Sequence, residues 1–403
     1  MIDRHSREQN AVIILLVARG LRGFADGFAA IILPVYLSVL GYSTAEIGII
    51  ATLSLLGTAL ISLVVGFIAP RFELRSLMIA GAWLLILTGL LFPAFDAFVF
   101  IAAIAFAGTI NPSTGDLGWL VPLEHSLLTQ ETADRERTRA FARYSLIGSL
   151  ATAAGSLGAV IPDFLGSLGI GKIAALKSMF LAYAAFGAAA AFLYRALPRD
   201  HAQARAPTLA LGPSRAIVYK LSALFSIDSF AGGFVVQSLL ALWLFERFDL
   251  SLAAAGVFFF WTNLLSAFSY PVAAWISRHI GLVNTMVFTH IPSSLCLIAA
   301  AFVPNAYLAL ALLLVRAALS QMDVPTRSSY VMAVVTPSER TAAASVTAVP
   351  RSLASAISPA FAGAMLGGPW SGLPLIICGA LKIGYDLTLL AMFRHVRPPE
   401  ETR

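Results

Sequence analysis

Long apolar stretches separated by short polar punctuation run through the chain almost from end to end. They recur at about 11–40, 44–68, 77–94, 98–129, 138–161, 172–194, 221–244, 252–276, 282–303, 306–335, 341–366 and 371–393. An α-helix rises about 1.5 Å per residue, so about 20 apolar residues cross roughly 30 Å of bilayer hydrocarbon with every backbone group paired inside the helix. The pattern therefore predicts about twelve membrane-spanning helices. Several exceed the minimum length and imply tilt or kinks.

Composition sharpens that picture. Of 403 residues, 59% are hydrophobic and 12% charged, and the mean hydropathy is +0.83, whereas a soluble domain carries about a quarter charged residues. A water-soluble protein is excluded, and the expected fold class is an all-α membrane protein. The longest polar interruption, Leu197 to Arg215, holds Pro198, Pro207, Pro213 and several arginines and reads as a linker. It separates an N-terminal six-helix bundle, 1–196, from a C-terminal one, 217–403, with 197–216 between them. The two parts look like diverged copies. Glu136-Arg137-Thr138 precedes Glu339-Arg340-Thr341 by 203 residues, as Ser149-Leu150-Ala151 precedes Ser352-Leu353-Ala354; Asp26 and Asp228 differ by 202, Gly48 and Gly256 by 208. Several matches at a nearly constant offset point to a six-plus-six duplication.

The net charge of +6 is spread over short loops rather than gathered on one patch, so nucleic acid is not an expected partner. With the N-terminus in the cytoplasm, 18 of the 27 basic residues fall in loops on that side and three, Lys172, Lys177 and Arg247, on the other. The positive-inside rule then places both termini and the linker in the cytoplasm. Met1 to Asn10 runs into the first apolar stretch with no small-residue cleavage site, so the first span is expected to be retained. The expected setting is the plasma membrane, a bacterial inner membrane, with the chain embedded in lipid as a monomer. Cys296 and Cys378 each sit in an apolar stretch and are expected to be buried apolar residues rather than disulfide or metal ligands.

Two six-helix halves, a basic central linker and cytoplasmic termini together resemble the major facilitator superfamily, over essentially the whole chain. The family's loop motif between helices 2 and 3, of the type G-x-x-x-D-R-x-G-R-[KR], has a partial match in Gly66-Phe67-Ile68-Ala69-Pro70-Arg71-Phe72-Glu73-Leu74-Arg75. Gly66, Arg71 and Arg75 agree; Pro70 stands where the family has Asp, and Glu73 where it has its second Gly. The resemblance implies two bundles around a central cavity, and a cytoplasmic gate at Arg71 and Arg75 with Arg278 as the second-half counterpart. The marks of the drug/proton antiporter branch, an arginine embedded in helix 4 and a Gly-Pro pair in helix 5, are missing, so no subfamily is assigned.

Ionisable residues inside spans are the candidate functional groups, because each costs at least about 2.5 kcal/mol at the bilayer centre unless it faces a polar cavity or a partner. Arg19, Arg22 and Asp26 fall at i, i+3 and i+7 of the first span, on one narrow helical face. Arg316, Ser320, Asp323 and Arg327 make a second stripe on the tenth span, around Pro325. Asp228 in the seventh span matches Asp26 through the repeat. Gln237, nine residues on, is about 180° around a continuous helix and is set aside. Arg351 sits near the middle of the eleventh span. Asn111-Pro112-Ser113-Thr114-Gly115-Asp116 predicts a broken fourth helix with Asn111 and Asp116 at the cavity. A plainer reading stays open: Arg22 with Asp26, Asp323 with Arg327, and Lys382 with Asp386 are all spaced i, i+4 and suit structural ion pairs. Glu124 and His125 read as gate or loop contacts. Small residues from Ala151 to Gly158 and from Ala342 to Ala356 make the fifth and eleventh helices candidates for the moving interface.

These features predict a secondary active transporter that moves a small solute by alternating access. Proton-coupled export of a small organic compound is the leading reading, with a carboxylate such as Asp26 or Asp116 loading and releasing the proton as the conformation changes. Uptake or exchange of an anion on the intramembrane arginines is one alternative, and a non-transporting receptor of the same fold another. With no G-x-x-x-x-G-K-[ST] loop and no room in the linker for a nucleotide-binding domain, ATP-driven transport is not expected. The six histidines are dispersed and form no H-E-x-x-H site, so no metal, no cofactor and no enzymatic activity are expected.

Overall fold

The computed structural model describes residues 2–113, 118–132, 137–198, 211–336 and 339–394. Among them the regular elements are helical: α1 (Ile2–Val39), α2 (Thr44–Ile68), α3 (Leu74–Leu91), α4 (Phe98–Ala107), α5 (Leu120–Gln130), α6 (Arg137–Leu157), α7 (Ile161–Ser167), α8 (Lys172–Arg195), α9 (Arg215–Gly233), α10 (Gln237–Phe248), α11 (Leu252–Ile280), α12 (Leu282–Phe302), α13 (Ala306–Ser320), α14 (Asp323–Val334), α15 (Arg340–Leu366) and α16 (Leu373–Phe393). Nine helical stretches of the described residues are long and apolar enough to cross a bilayer.

Local chemistry sets the helix ends. Ser43 caps α2 in a reciprocal box, its hydroxyl accepting from the Glu46 amide at 3.3 Å while the Glu46 carboxylate accepts from the Ser43 amide at 2.8 Å. Ser251 and Asn305 cap α11 and α13 at 3.1 Å each, satisfying amides that a first turn leaves open. Prolines inside α15 leave carbonyls to be re-paired. Pro350 frees the Val346 carbonyl, which accepts from Ser222 of α9 at 2.8 Å, and Pro359 frees that of Ser355, which accepts from Ser358 at 3.4 Å.

In the first part of the chain α1 packs on α6 and α8, α3 on α8 and α2 on α4; in the second, α15 and α16 pack on α9, and α12 on α13 and α16. The two bundles meet where α2 lies against α15 and α6 against α11. The backbones approach so closely there that a Cβ on Gly48 would stand 2.5 Å from the Pro359 carbonyl oxygen, and one on Gly256 2.7 Å from that of Ser156. Gly48 and Gly256 are the pair related by the sequence repeat.

Hydrogen bonds between the bundles gather near one end. Thr52 Oγ1 accepts from the Ala360 amide at 2.9 Å, Asn263 Nδ2 donates to Ser156 Oγ at 3.1 Å, and the Ala253 amide donates to Asp163 Oδ2 at 3.1 Å. This far end carries the turns at Gly41, Gly169 and Asp249, with φ of 91°, 86° and 49°. Arg71, Arg195 and Arg278 lie in the last turns of helices, and Arg215 opens α9, at the opposite, basic end. Cys378 is buried, but Cys296, beside the exposed Leu295 on the outer side of α12, is partly open rather than buried as expected.

Candidate functional site

A cavity of about 550 Å³ lies between the bundles, on the basic-end side of those contacts. Along α2, Gly48 and Thr52 touch α15 first, and the lining residues Leu55, Thr58 and Ser62 follow. Along α15, the lining residues Ala348, Arg351 and Ser355 come before Ile357 to Gly363, which meet α2. The space suits a small organic molecule.

Among the described lining residues, the charged ones all come from the second bundle. Asp228, Arg316, Asp323, Arg327, Arg351 and Lys382 all line it. Asp228 accepts from Lys382 Nζ at 2.6 Å and from Arg327 Nη1 at 3.0 Å, while Asp323 pairs with the same Arg327 nitrogen at 3.1 Å. The i, i+4 pairing of Asp323 with Arg327 is therefore present, embedded in a larger cluster. The expected Lys382–Asp386 pair is not. Lys382 turns to Asp228 on α9, and Asp386 sits against His290 Nδ1 of α12 at 3.1 Å. Lys382 Nζ also lies 3.2 Å from His290 Nε2. An ammonium only donates, so Nε2 accepts and Nδ1–H donates to Asp386. This knot ties α9, α12, α14 and α16 together, and its histidine, 92 residues from Lys382, carried no sequence signal beyond lying in an apolar span.

Three helix breaks meet at the cavity. The fourth span is broken as expected: α4 stops at Ala107, and Asn111 Oδ1 accepts from the Ser113 amide at 2.9 Å, which uses the Asn111 oxygen to shape the loop. Asp116 lies outside the described residues. The seventh span, expected to be continuous, separates at Phe234–Val236 into α9 and α10, and the tenth at Gln321 and Met322 into α13 and α14. The first of these breaks brings Gln237 onto the cavity wall with Asp228. A rotation of about 100° per residue holds only along an unbroken helix, and this one is interrupted between Gly233 and Gln237. The Ser238 amide at the start of α10 donates to the Pro112 carbonyl at 3.0 Å, so two breaks bond each other across the bundles.

Arg19, Arg22, Asp26 and Asn111 border a separate, smaller pocket in the first bundle, and Thr58 lines both spaces. Arg22 pairs with Glu124 of α5 rather than with Asp26, and both side chains are almost completely covered. Glu124 also accepts from Tyr144 of α6 and from Tyr194 of α8, the latter at 2.6 Å. It is thus the centre of a buried knot joining α1, α5, α6 and α8, not a gate or loop contact; a carboxylate that deep persists because an arginine and two hydroxyls satisfy it. Arg19 stands over the Tyr144 ring at 5.5 Å. Asp26 makes no ion pair among the described residues and accepts only a long bond from Tyr183, at 3.4 Å.

Arg71, Arg75 and Arg278, expected at a cytoplasmic gate, are not among the residues that line the cavity. Arg71 ends a short turn after α2, Arg75 opens α3 and Arg278 lies in the last turn of α11; Arg71 and Arg278 are exposed and Arg75 half-buried. Among the described residues none of the three enters an ion pair.

Residues 15–317 match the family model of the Major Facilitator Superfamily. An uncharacterized membrane protein of Saccharomyces cerevisiae, YJR124C, is 24% identical over 93% of this chain and 92% of its own length. Solved structures with a similar fold include an auto-inhibited POT family peptide transporter (TM-score 0.74, 14% identity, 98% of each chain). Two others are the nucleoside transporter NupG (0.72, 14%, 96% of this chain and 100% of that one) and a bacterial homolog of the human lysosomal transporter Spinster, inward-facing and occupied (0.72, 16%, 97% and 98%). A charged cavity between two helical bundles and a family match over most of the chain lead to one conclusion: the protein belongs to the Major Facilitator Superfamily and is a multi-pass, all-helical membrane transporter with that family's two-bundle fold.

Proposed function

We propose that the chain is a secondary active transporter that moves a small solute by alternating access and couples it to protons, with export as its working direction. The observation that carries this reading is the polar cavity between bundles that touch through narrow, glycine-lined crossings at one end. The two crossings are related by the repeat, so rocking one bundle against the other exchanges the closed end without unpacking either. The division at 197–216 and the placing of the basic end in the cytoplasm of a bacterial inner membrane belong to the same reading, supported by the skew of basic residues. Structural relatives carry a peptide in one case and a nucleoside in another, so the solute has to be read from this cavity.

Asp26 is the proposed proton carrier, together with Asp116. Asp228 and Asp323 are held by cations, and protonating either would break an ion pair. Asp26, beside the small pocket and free of such a pair among the described residues, gains a proton without that loss. In proteoliposomes, a compound that raises the melting temperature of the purified protein should be driven by a pH gradient. Asp26→Asn and Asp116→Asn should uncouple that flux while leaving binding in place. Gradient-driven flux unchanged in both variants would sink the coupling.

A further inference from the structure

Charge on the cavity wall does not balance. Among the described lining residues there are two carboxylates, Asp228 and Asp323, and four cations, Arg316, Arg327, Arg351 and Lys382. Both carboxylates are already taken, Asp228 by Lys382 and Arg327 and Asp323 by Arg327. Arg351 is left with a hydrogen bond from Nε to the Ser229 hydroxyl at 3.1 Å. The Arg316 guanidinium has no hydrogen-bond or ion-pair partner among the described residues. Neither side chain is sealed in: both are half-buried and border the open space. Leu55, Val235, Phe258 and Phe259 give the same wall apolar surface.

A guanidinium in a bilayer-spanning bundle is costly unless an anion or a polar partner meets it, and its planar fork of donors matches a carboxylate or phosphate group. Two arginines that form no ion pair with a described residue, in one cavity, leave room for an anionic charge that the described residues do not supply. We infer that the transported solute is a small organic anion, its charged head held by Arg316 and Arg351 and its apolar body against Phe258 and Phe259. This inference rests on the reading of the cavity as the solute route.

The test uses three probes of the same size and different charge on the full-length protein in detergent: 2-naphthoate, 2-naphthamide and 2-naphthylmethylammonium, followed by thermal shift and equilibrium binding. Naphthoate should bind and stabilise, and the amide and the ammonium should not. Arg316→Gln and Arg351→Gln should each weaken naphthoate binding by about tenfold, the loss of one charge-assisted contact, and Arg316→Lys and Arg351→Lys should weaken it less. The charge series on the unaltered protein decides the question even where a glutamine variant does not fold. Equal or tighter binding of the amide or the ammonium, no binding of any probe at millimolar concentration, or unchanged naphthoate binding in both folded glutamine variants would overturn the inference. Counterflow in proteoliposomes separates it from the transport reading. Naphthoate that binds without crossing leaves the anion site standing and defeats transport, whereas an ammonium probe that crosses defeats the anion site alone.

Discussion

At the scale of single residues, the buried charges that tie helices together have partners far away in sequence. Arg22 and Glu124 are 102 residues apart, and Glu124 satisfies two tyrosines as well. Removing one member leaves the other charged and unpaired in a low-dielectric interior, which typically costs about 3–5 kcal/mol, while replacing both by apolar groups costs far less. Glu124→Gln should therefore lower the unfolding free energy in mixed micelles by about 3 kcal/mol or more, and the double variant Arg22→Met with Glu124→Leu should recover most of it. An unaltered stability for Glu124→Gln would show that the knot holds nothing. Sequence spacing identified Asp323 with Arg327 but misassigned Lys382 and Asp386, because i, i+4 geometry describes an isolated helix. In a bundle a residue on a neighbouring helix competes, and Asp228 and His290 lie across from α16 at 2.6 and 3.1 Å. Glu124 and His290 were out of reach for the same reason: what makes them matter is a partner on another helix.

At the scale of elements, hydropathy located the helices but not their interruptions. A gap of two or three residues, such as Phe234–Val236, barely alters an apolar pattern, yet it re-aims every side chain after it and so carried Gln237 to the cavity. The break in the fourth span was legible because Pro112 sits next to polar residues. The bundle crossings were legible only as runs of small residues; which glycine touches which backbone emerges from packing. A methyl group on Gly48 or Gly256 would collide with a carbonyl oxygen at 2.5 or 2.7 Å, an overpacking expected to cost about 1–3 kcal/mol in the closed far end. With Cys296 and Cys378 replaced by alanine and a cysteine placed at Thr44, Gly48→Ala should raise the maleimide labelling rate about tenfold; an unchanged rate would mean that the crossing does not seal that end. At the other end Glu339 pins the start of α15 to the chain before α9. It accepts from the Ser214 hydroxyl at 2.6 Å, the Thr336 hydroxyl at 2.5 Å and the Gly212 and Ser214 amides, and these bonds hold its carboxyl down to about 2, from 4.5. A depressed carboxyl stabilises the fold fully above its ordinary value and loses that contribution as the pH falls towards the depressed one. The stability gap between the parent protein and Glu339→Gln should thus be constant above a pH of about 4.5 and narrow below it; a gap that stayed level into acid would contradict the assignment.

At the scale of the whole molecule, composition and the 203-residue offset between matching tripeptides were enough to give a two-bundle membrane fold, because a bilayer leaves few alternatives to helices and a duplication leaves few ways to arrange them. The cavity was less legible. Its place depends on how the bundles lean, which decides that Asp228, Asp323 and Arg351 share one space while Arg19, Arg22 and Asp26 border another. That lean is what alternating access would change. The most direct test is a pair of pulsed electron-spin distance measurements in lipid, with labels at Phe67 and Ile280 on the basic end and at Leu168 and Trp370 on the far end, all four exposed and each pair spanning the two bundles. Alternating access predicts two populated distances in each pair, with the basic-end distance shortening as the far-end distance lengthens when pH or an anionic ligand is varied. A single distance at both ends, unmoved by either, would contradict it.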